Sequence, residues 1–249
     1  MIILKSPWEM EKMRASNAIV AEVLAELRLM VKPGVTTMEL EEATNRFCSK
    51  KKVRPAFKGY RGYPYALCAS VNEQVVHGFP TLRELVQGDI VSIDFGVLHD
   101  GYYGDAAVTI PVGKITQEAE LLIRTTEESL NIALKKATPQ YRLSDLSHAI
   151  QSYVESKKFS VVRQFVGHGI GKSLHEEPQI PNFGRPGRGV RLRPGMVLAI
   201  EPMVNAGGYE VEILGDGWTA VTKDRRLSAH FEHTVAVTEN GCRILSLAA

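Results

Sequence analysis

Gly88-Asp89-Ile90-Val91-Ser92-Ile93-Asp94 and Gly195-Met196-Val197-Leu198-Ala199-Ile200-Glu201 follow one pattern: a glycine, a mostly apolar run and a terminal acid. Each run has the length and composition of a buried strand, so each delivers a carboxylate to a strand end. A buried carboxylate without a partner is costly, and a bound cation is one of the few adequate partners. The echo extends beyond the runs, because His77-Gly78-Phe79-Pro80 corresponds to His175-Glu176-Glu177-Pro178. Two matches in the same order, on the same helix-then-strand pattern, indicate an internal duplication. The expected molecule is one pseudo-twofold domain over residues 1–249, with halves of about 1–113 and 114–249, whose carboxylates meet at the centre.

Helix punctuation supports this division. Ser6-Pro7-Trp8-Glu9 predicts a helix with Ser6 as N-cap and Glu9 closing a capping box, ended by Lys32-Pro33-Gly34. Thr36-Thr37-Met38-Glu39 opens a second helix through Phe47 by the same logic. Strands are expected over Cys68–Val76, Ile90–Phe95 and Gly104–Val112. In the second half, helices are expected from near Thr116 to about Ala137 and from Ser144 to about Lys157, with strands after them. The stretch from Asn182 to Arg193, rich in Gly, Pro and Arg, reads as a surface loop.

Composition narrows the function classes. The 249 residues carry 30 basic and 28 acidic side chains, a net charge of +2 that leaves no electrostatic footprint for nucleic acid or an anionic membrane. Cys48, Cys68 and Cys242 are odd in number and lack metal-ligand spacing, so neither a disulfide framework nor a zinc knuckle is indicated. No segment reads as a signal peptide or a bilayer span, and a cytoplasmic protein is the expectation.

Three further potential ligands join Asp94 and Glu201: Asp105 in Gly-Asp-Ala, His168 in Gly-His-Gly-Ile-Gly and Glu232 in Phe-Glu-His-Thr. Four carboxylates balance the charge of two divalent ions. Oxygen ligands with one imidazole suit manganese, iron, cobalt or zinc, whereas structural zinc prefers thiolates and magnesium or calcium rarely recruits histidine. Two such ions about 3.5–4 Å apart acidify a bridging water and polarise a carbonyl, which points to hydrolysis. His77 and His175 occupy equivalent places in the two halves and are not needed as ligands. Imidazoles so placed can donate to an oxyanion or move a proton to a leaving amine. The spacing of Gly167, Gly169 and Gly171 fits neither nucleotide-binding pattern, and these glycines are read as letting backbone approach the site closely.

With these residues in view, the chain resembles the type I methionine aminopeptidases, a branch of the pita-bread metallopeptidase family that also holds X-Pro aminopeptidase, prolidase and creatinase. The resemblance runs from Ser6-Pro7-Trp8-Glu9 to Val235 and includes all five ligand signatures in order. It implies an α+β pita-bread fold, with a central antiparallel sheet covered by helices. It implies that Asp94 chelates one metal, that His168 and Glu201 hold the other, and that Asp105 and Glu232 bridge both. Glu201 would also accept a proton from the attacking water. His77 would contact the scissile amide or assist the leaving group, and His175 would stabilise the tetrahedral oxyanion. Tyr60 and Tyr63 in Gly-Tyr-Arg-Gly-Tyr-Pro, with Cys68 and Trp218, resemble a methionine pocket, where aromatic and sulfur contacts suit a flexible thioether.

The implied activity is removal of initiator methionine from nascent proteins and peptides with a small second residue. The implied protein is a monomer whose partner is a peptide N-terminus, with association to the ribosome left open. Three residues depart from the family pattern: Leu174 where many relatives carry Phe, Phe57 where some carry Cys, and His230 where Gln commonly precedes Phe-Glu-His-Thr. Only about thirty residues separate Glu201 from Glu232, so the long insertion of type II enzymes is missing. Two other readings compete: an X-Pro aminopeptidase or prolidase-type enzyme using the same metals, and a metal-free pita-bread binding scaffold.

Overall fold

Both predicted capping boxes form in the computed structural model, which describes residues 1–247. Ser6 Oγ accepts from Glu9 N at 3.3 Å while Glu9 Oε2 accepts from Ser6 N at 2.9 Å, satisfying two donors that a helix start leaves orphaned. Thr36 and Glu39 repeat the arrangement at 3.1 and 2.7 Å. The helices that follow are α1 (Pro7–Met30) and α2 (Thr37–Lys51). The second outruns the expected end at Phe47, because Cys48 still lies on its buried face and the left-handed Lys52, at φ 55°, closes it.

Next come β1 (Arg54–Pro55), β2 (Leu67–Val71), β3 (Gln74–Val76), β4 (Ile90–His99) and β5 (Tyr102–Pro111). The strand expected over Cys68–Val76 is two strands. Asn72 turns the chain at φ 56°, and its side chain is held by Asp89 and Ile90 N. The second half begins with α3 (Gln117–Leu134), which stops short of Ala137, and α4 (Leu143–Ser156). It continues with β6 (Ser160–Val161), β7 (Gly167–Gly169), β8 (Glu176–Ile180), β9 (Val197–Ile200) and β10 (Met203–Asn205). The last strands are β11 (Val211–Ile213), β12 (Ala220–Thr222), β13 (Ser228–His230), β14 (Glu232–Thr238) and β15 (Gly241–Ile244). From Asn182 to Arg193 only one bridge, Arg191 to Arg142, interrupts an irregular loop.

One nine-stranded sheet unites the halves in the order β1-β4-β5-β14-β9-β7-β8, with β2 also on β4 and β15 also on β14. Its strand pairs are all antiparallel. The halves join where β5 meets β14, with Ala107 opposite Glu232 and Ala106 opposite His233. Outward from this seam, β4 and β9 hold equivalent places, and they are the two runs that share the glycine-to-acid pattern. One apolar core gathers Val20, Leu27 and Leu40 from α1 and α2 over Ile93 and Phe95. A second gathers Leu122, Leu130, Leu146 and Ile150 from α3 and α4 over Leu198 and Val235. Helices thus cover the sheet; Glu201 follows the end of β9 as expected, but β4 runs on past Asp94 to His99 because its ladder with β5 continues, so Asp94 lies mid-strand. Among the described residues, no helix is long and apolar enough to cross a membrane.

Candidate metal centre and its pocket

Asp94 and Asp105 stand on one hairpin. In the β4–β5 ladder Asp94 faces Ala107 and Asp105 faces Gly96, so the two acids are two residues apart in register and share one face of the pleat. The small partners leave room for the carboxylates, and a Cβ on Gly96 would lie 3.0 Å from Asp105 Oδ1. Main-chain bonds fix Asp105 further: its N–H donates to Asn17 Oδ1 at 3.3 Å and its carbonyl accepts from Thr234 Oγ1 at 2.7 Å. Glu232 starts β14 beside this hairpin, Glu201 follows β9, and His168 is the centre of β7.

Ligand atoms of Asp105, His168 and Glu232 all lie within 4.8 Å of one another, and all three residues are buried. Glu201 Oε1 lies 3.6 Å from His168 Nε2. His168 Nδ1 is 2.9 Å from the Gly169 carbonyl, a contact that places the ring proton on Nδ1 and leaves the Nε2 lone pair free for a cation. The glycines flanking His168 permit the close backbone approach expected of them, since a Cβ on Gly169 would meet Glu177 O at 2.2 Å.

The electrostatics of these groups are those of a site built around positive charge. Burial raises Asp94, Asp105, Glu201 and Glu232 above the ordinary carboxylate range, and mutual repulsion raises Asp105 and Glu232 further. Asp94 Oδ1, Asp105 Oδ1 and Glu232 Oε1 are enclosed and accept no hydrogen bond. Each such orphan costs about 1–3 kcal/mol, a penalty that coordination of a divalent ion removes.

The same cavity, of about 330 Å³, brings in the remaining predicted residues: His77, His175, Tyr60, Tyr63, Cys68 and Trp218. His77 follows β3 at φ 60°, an unusual backbone for a side chain, and its ring stands edge-on to Phe165 and Trp218. His175 stacks near His168, with ring centroids 4.3 Å apart, and its Nδ1 is 2.7 Å from the Tyr60 hydroxyl. Burial lowers both outer imidazoles to about 4, keeping them neutral near pH 7; His230 and His175 act on the first and Arg61 on the second. Tyr63 donates toward the Leu67 and Gly78 carbonyls at 3.1 and 3.2 Å, tying the His77 loop to β2, and its ring meets Trp218 edge-on at 5.1 Å. Cys68 lies opposite Asp94 across β2 and β4. The departures Phe57 and Leu174 are cavity walls as well.

Sequence reasoning overlooked Phe165 and Met203, both of which line the cavity. Their only signal is proximity, three residues before His168 and two after Glu201.

A model of metallopeptidase family M24 matches residues 11–239. The chain belongs to metallopeptidase family M24. Methionine aminopeptidase from Clostridium perfringens is 56% identical over 247 residues, covering 99% of each chain. Methionine aminopeptidase 1 from Bacillus subtilis is 54% identical, again over 99% of each. The crystal structure of methionine aminopeptidase from Thermotoga maritima superposes with a TM-score of 0.98 at 52% identity, covering 99% of this chain and 100% of that one.

The fold of this M24 member is therefore the α+β pita-bread architecture, and the orphaned carboxylates at its centre fit the metal use that the family description states. Their oxygen-rich donor set with one imidazole suits a borderline divalent ion.

Proposed function

We propose that this chain is a methionyl aminopeptidase that removes initiator methionine from nascent proteins and peptides with a small second residue. The observation that carries the reading is the juxtaposition in one cavity of orphaned carboxylates with an aromatic, sulfur-containing wall. Full-length identity above half to methionine aminopeptidases supports the substrate. In this reading Asp94 would hold one divalent ion, His168 and Glu201 would hold a second, and Asp105 and Glu232 would be shared between them. Cobalt, manganese, iron or zinc would serve, and when bound such ions supply Lewis acidity toward a carbonyl and toward water.

The protein's own groups do the rest. Glu201, whose proton affinity burial raises, takes the proton of the attacking water. His77, neutral and braced by Phe165 and Trp218, contacts the scissile amide and assists departure of the new amine. With the Tyr60 hydroxyl donating to Nδ1, His175 keeps its proton on Nε2 and donates it to the developing oxyanion. The methionine thioether lies against Tyr60, Tyr63, Cys68 and Trp218. The substrate's free amine meets the carboxylate cluster, which limits cleavage to a chain's first residue. The setting is a monomeric single catalytic domain in the cytoplasm, with nascent-chain and peptide N-termini as its substrates.

Parallel assays on Met-Ala-Ser and on a peptide with proline in second place test the substrate. Cleavage of Met-Ala-Ser is expected. Cleavage of the proline peptide alone would transfer the chain to the X-Pro peptidases.

A further inference from the structure

His230, two residues before Glu232, stands beside Glu201 in the centre. It ends β13, and a single hydroxyl clasps its main chain from both sides. Thr109 Oγ1 accepts from His230 N at 2.9 Å and donates to His230 O at 2.8 Å, with Ser92 Oγ 2.8 Å from Thr109 Oγ1. A backbone so held cannot swing its side chain outward, and the residue is 1% exposed. Its Nε2 is enclosed without a hydrogen-bond partner, 3.4 Å from Glu201 Oε2. The other Glu201 oxygen, Oε1, lies 3.6 Å from His168 Nε2. One carboxylate therefore sits between two imidazole nitrogens and turns one oxygen to each.

The two imidazoles are not alike. His168 commits its Nδ1 proton to the Gly169 carbonyl, so its Nε2 presents a lone pair and needs a cation between itself and Glu201. Among the described residues, no such contact to a carbonyl fixes the His230 ring. Glu201 Oε2 lies 3.4 Å from its Nε2, a few tenths of an ångström beyond an ordinary N–H···O bond.

We propose that His230 is a positioning residue whose Nε2–H donates to Glu201 Oε2, leaving Oε1 on the His168 side as the one oxygen that Glu201 offers a metal ion. The proposal rests on Glu201 being a metal ligand, as read above. A partner of this kind fixes a ligand's orientation and single-oxygen binding, and such partners are typically worth about 10- to 100-fold in metal affinity.

Two measurements test it. Long-range nitrogen–proton NMR of the unaltered, metal-free protein reads which His230 nitrogen is protonated: a proton on Nε2 is expected, and a bare Nε2 overturns the proposal. Calorimetric titration with cobalt(II) alone then compares variants. His230→Leu is expected to weaken binding by about 10- to 100-fold, whereas His230→Gln, whose amide still donates, stays within about threefold. Equal losses in both variants would make His230 a direct ligand, and no loss in either would make it packing; each result overturns the positioning role. Glu201→Gln, titrated alongside, separates the two levels of the argument. Undiminished affinity there removes Glu201 from the ligand set and the proposal with it, while weakened binding there beside an unaffected His230→Leu overturns the positioning role alone.

Discussion

The two halves of this molecule carry carboxylates to the same point by different means. The first half holds Asp94 and Asp105 on one hairpin of two ten-residue strands, whose unbroken ladder from Ile90–Pro111 to His99–Tyr102 fixes their separation. The second half gathers His168, Glu201 and Glu232 from the vicinity of three short strands, β7, β9 and β14, and their spacing depends on sheet packing. The outer histidines differ as well. His77 is braced by aromatic rings, whereas the more exposed His175 is steered by a hydroxyl on the other side of the cavity. A duplicated frame therefore conserves where the charges meet and leaves free how each half supports them.

The largest expected effect comes from removing, in each half, the carboxylate proposed to be shared between the ions. Glu232→Ala and Asp105→Ala should each lose bound metal and cut hydrolysis of Met-Ala-Ser by about a thousandfold or more, the loss of several kcal/mol of charge stabilisation. Elemental analysis checks the first effect. Near-normal metal content in either variant would show that its half is dispensable.

Next come the outer histidines. His77→Ala and His175→Ala should keep their metal while turnover falls by roughly a hundredfold, within the range for a lost proton-transfer or oxyanion-stabilising group. Unchanged turnover in one of them would remove that half's histidine from the mechanism.

Acidity probes the carboxylates together. Burial raises Asp94 to about 7 and Glu201 to about 8, so the metal-free protein holds protons there that the unfolded chain has released. Raising pH from about 4.5 to 8 therefore favours the unfolded state, and metal-free stability should fall across that window and level off above it. Metal uptake must expel the same protons, so affinity should rise over the same range, by about tenfold per pH unit for each proton released. Thermal melts with and without metal read both trends, and an affinity independent of pH would contradict them.

The smallest expected effect is Tyr60→Phe. Loss of one hydrogen bond to His175 costs about 0.5–1.5 kcal/mol, so turnover should fall some two- to tenfold with KM nearly unchanged. A comparable fall on a His175→Ala background would show that Tyr60 acts elsewhere.

Much of this was legible in the chain because burial leaves a mark on sequence. The runs leading to Asp94 and Glu201 are apolar enough to identify buried strands, and an acid buried there asks for a cation, although β4 continues past Asp94 to His99 and only Glu201 stands at a strand end. Caps were readable for the same reason, since Ser6 and Thr36 act through neighbours only three residues away. What escaped depends on distant contacts. The break at Asn72 is held by Asp89 and Ile90, the extra turn of α2 by the burial of Cys48, and Phe165 matters only because folding sets it against His77. His230 reads as an anomaly until Glu201 is seen 3.4 Å away.

Acids from both halves thus meet at one centre, proposed as the metal-dependent site of methionine removal. Its most direct test is to strip the protein with a chelator, confirm by elemental analysis that no metal remains, and follow Met-Ala-Ser hydrolysis as cobalt, manganese, iron or zinc is returned. Activity is expected to vanish on stripping and to return with at least one of these ions, in step with metal bound. Hydrolysis that survives complete removal would contradict it, and failure of every ion to restore activity would leave a binding scaffold in place of an enzyme.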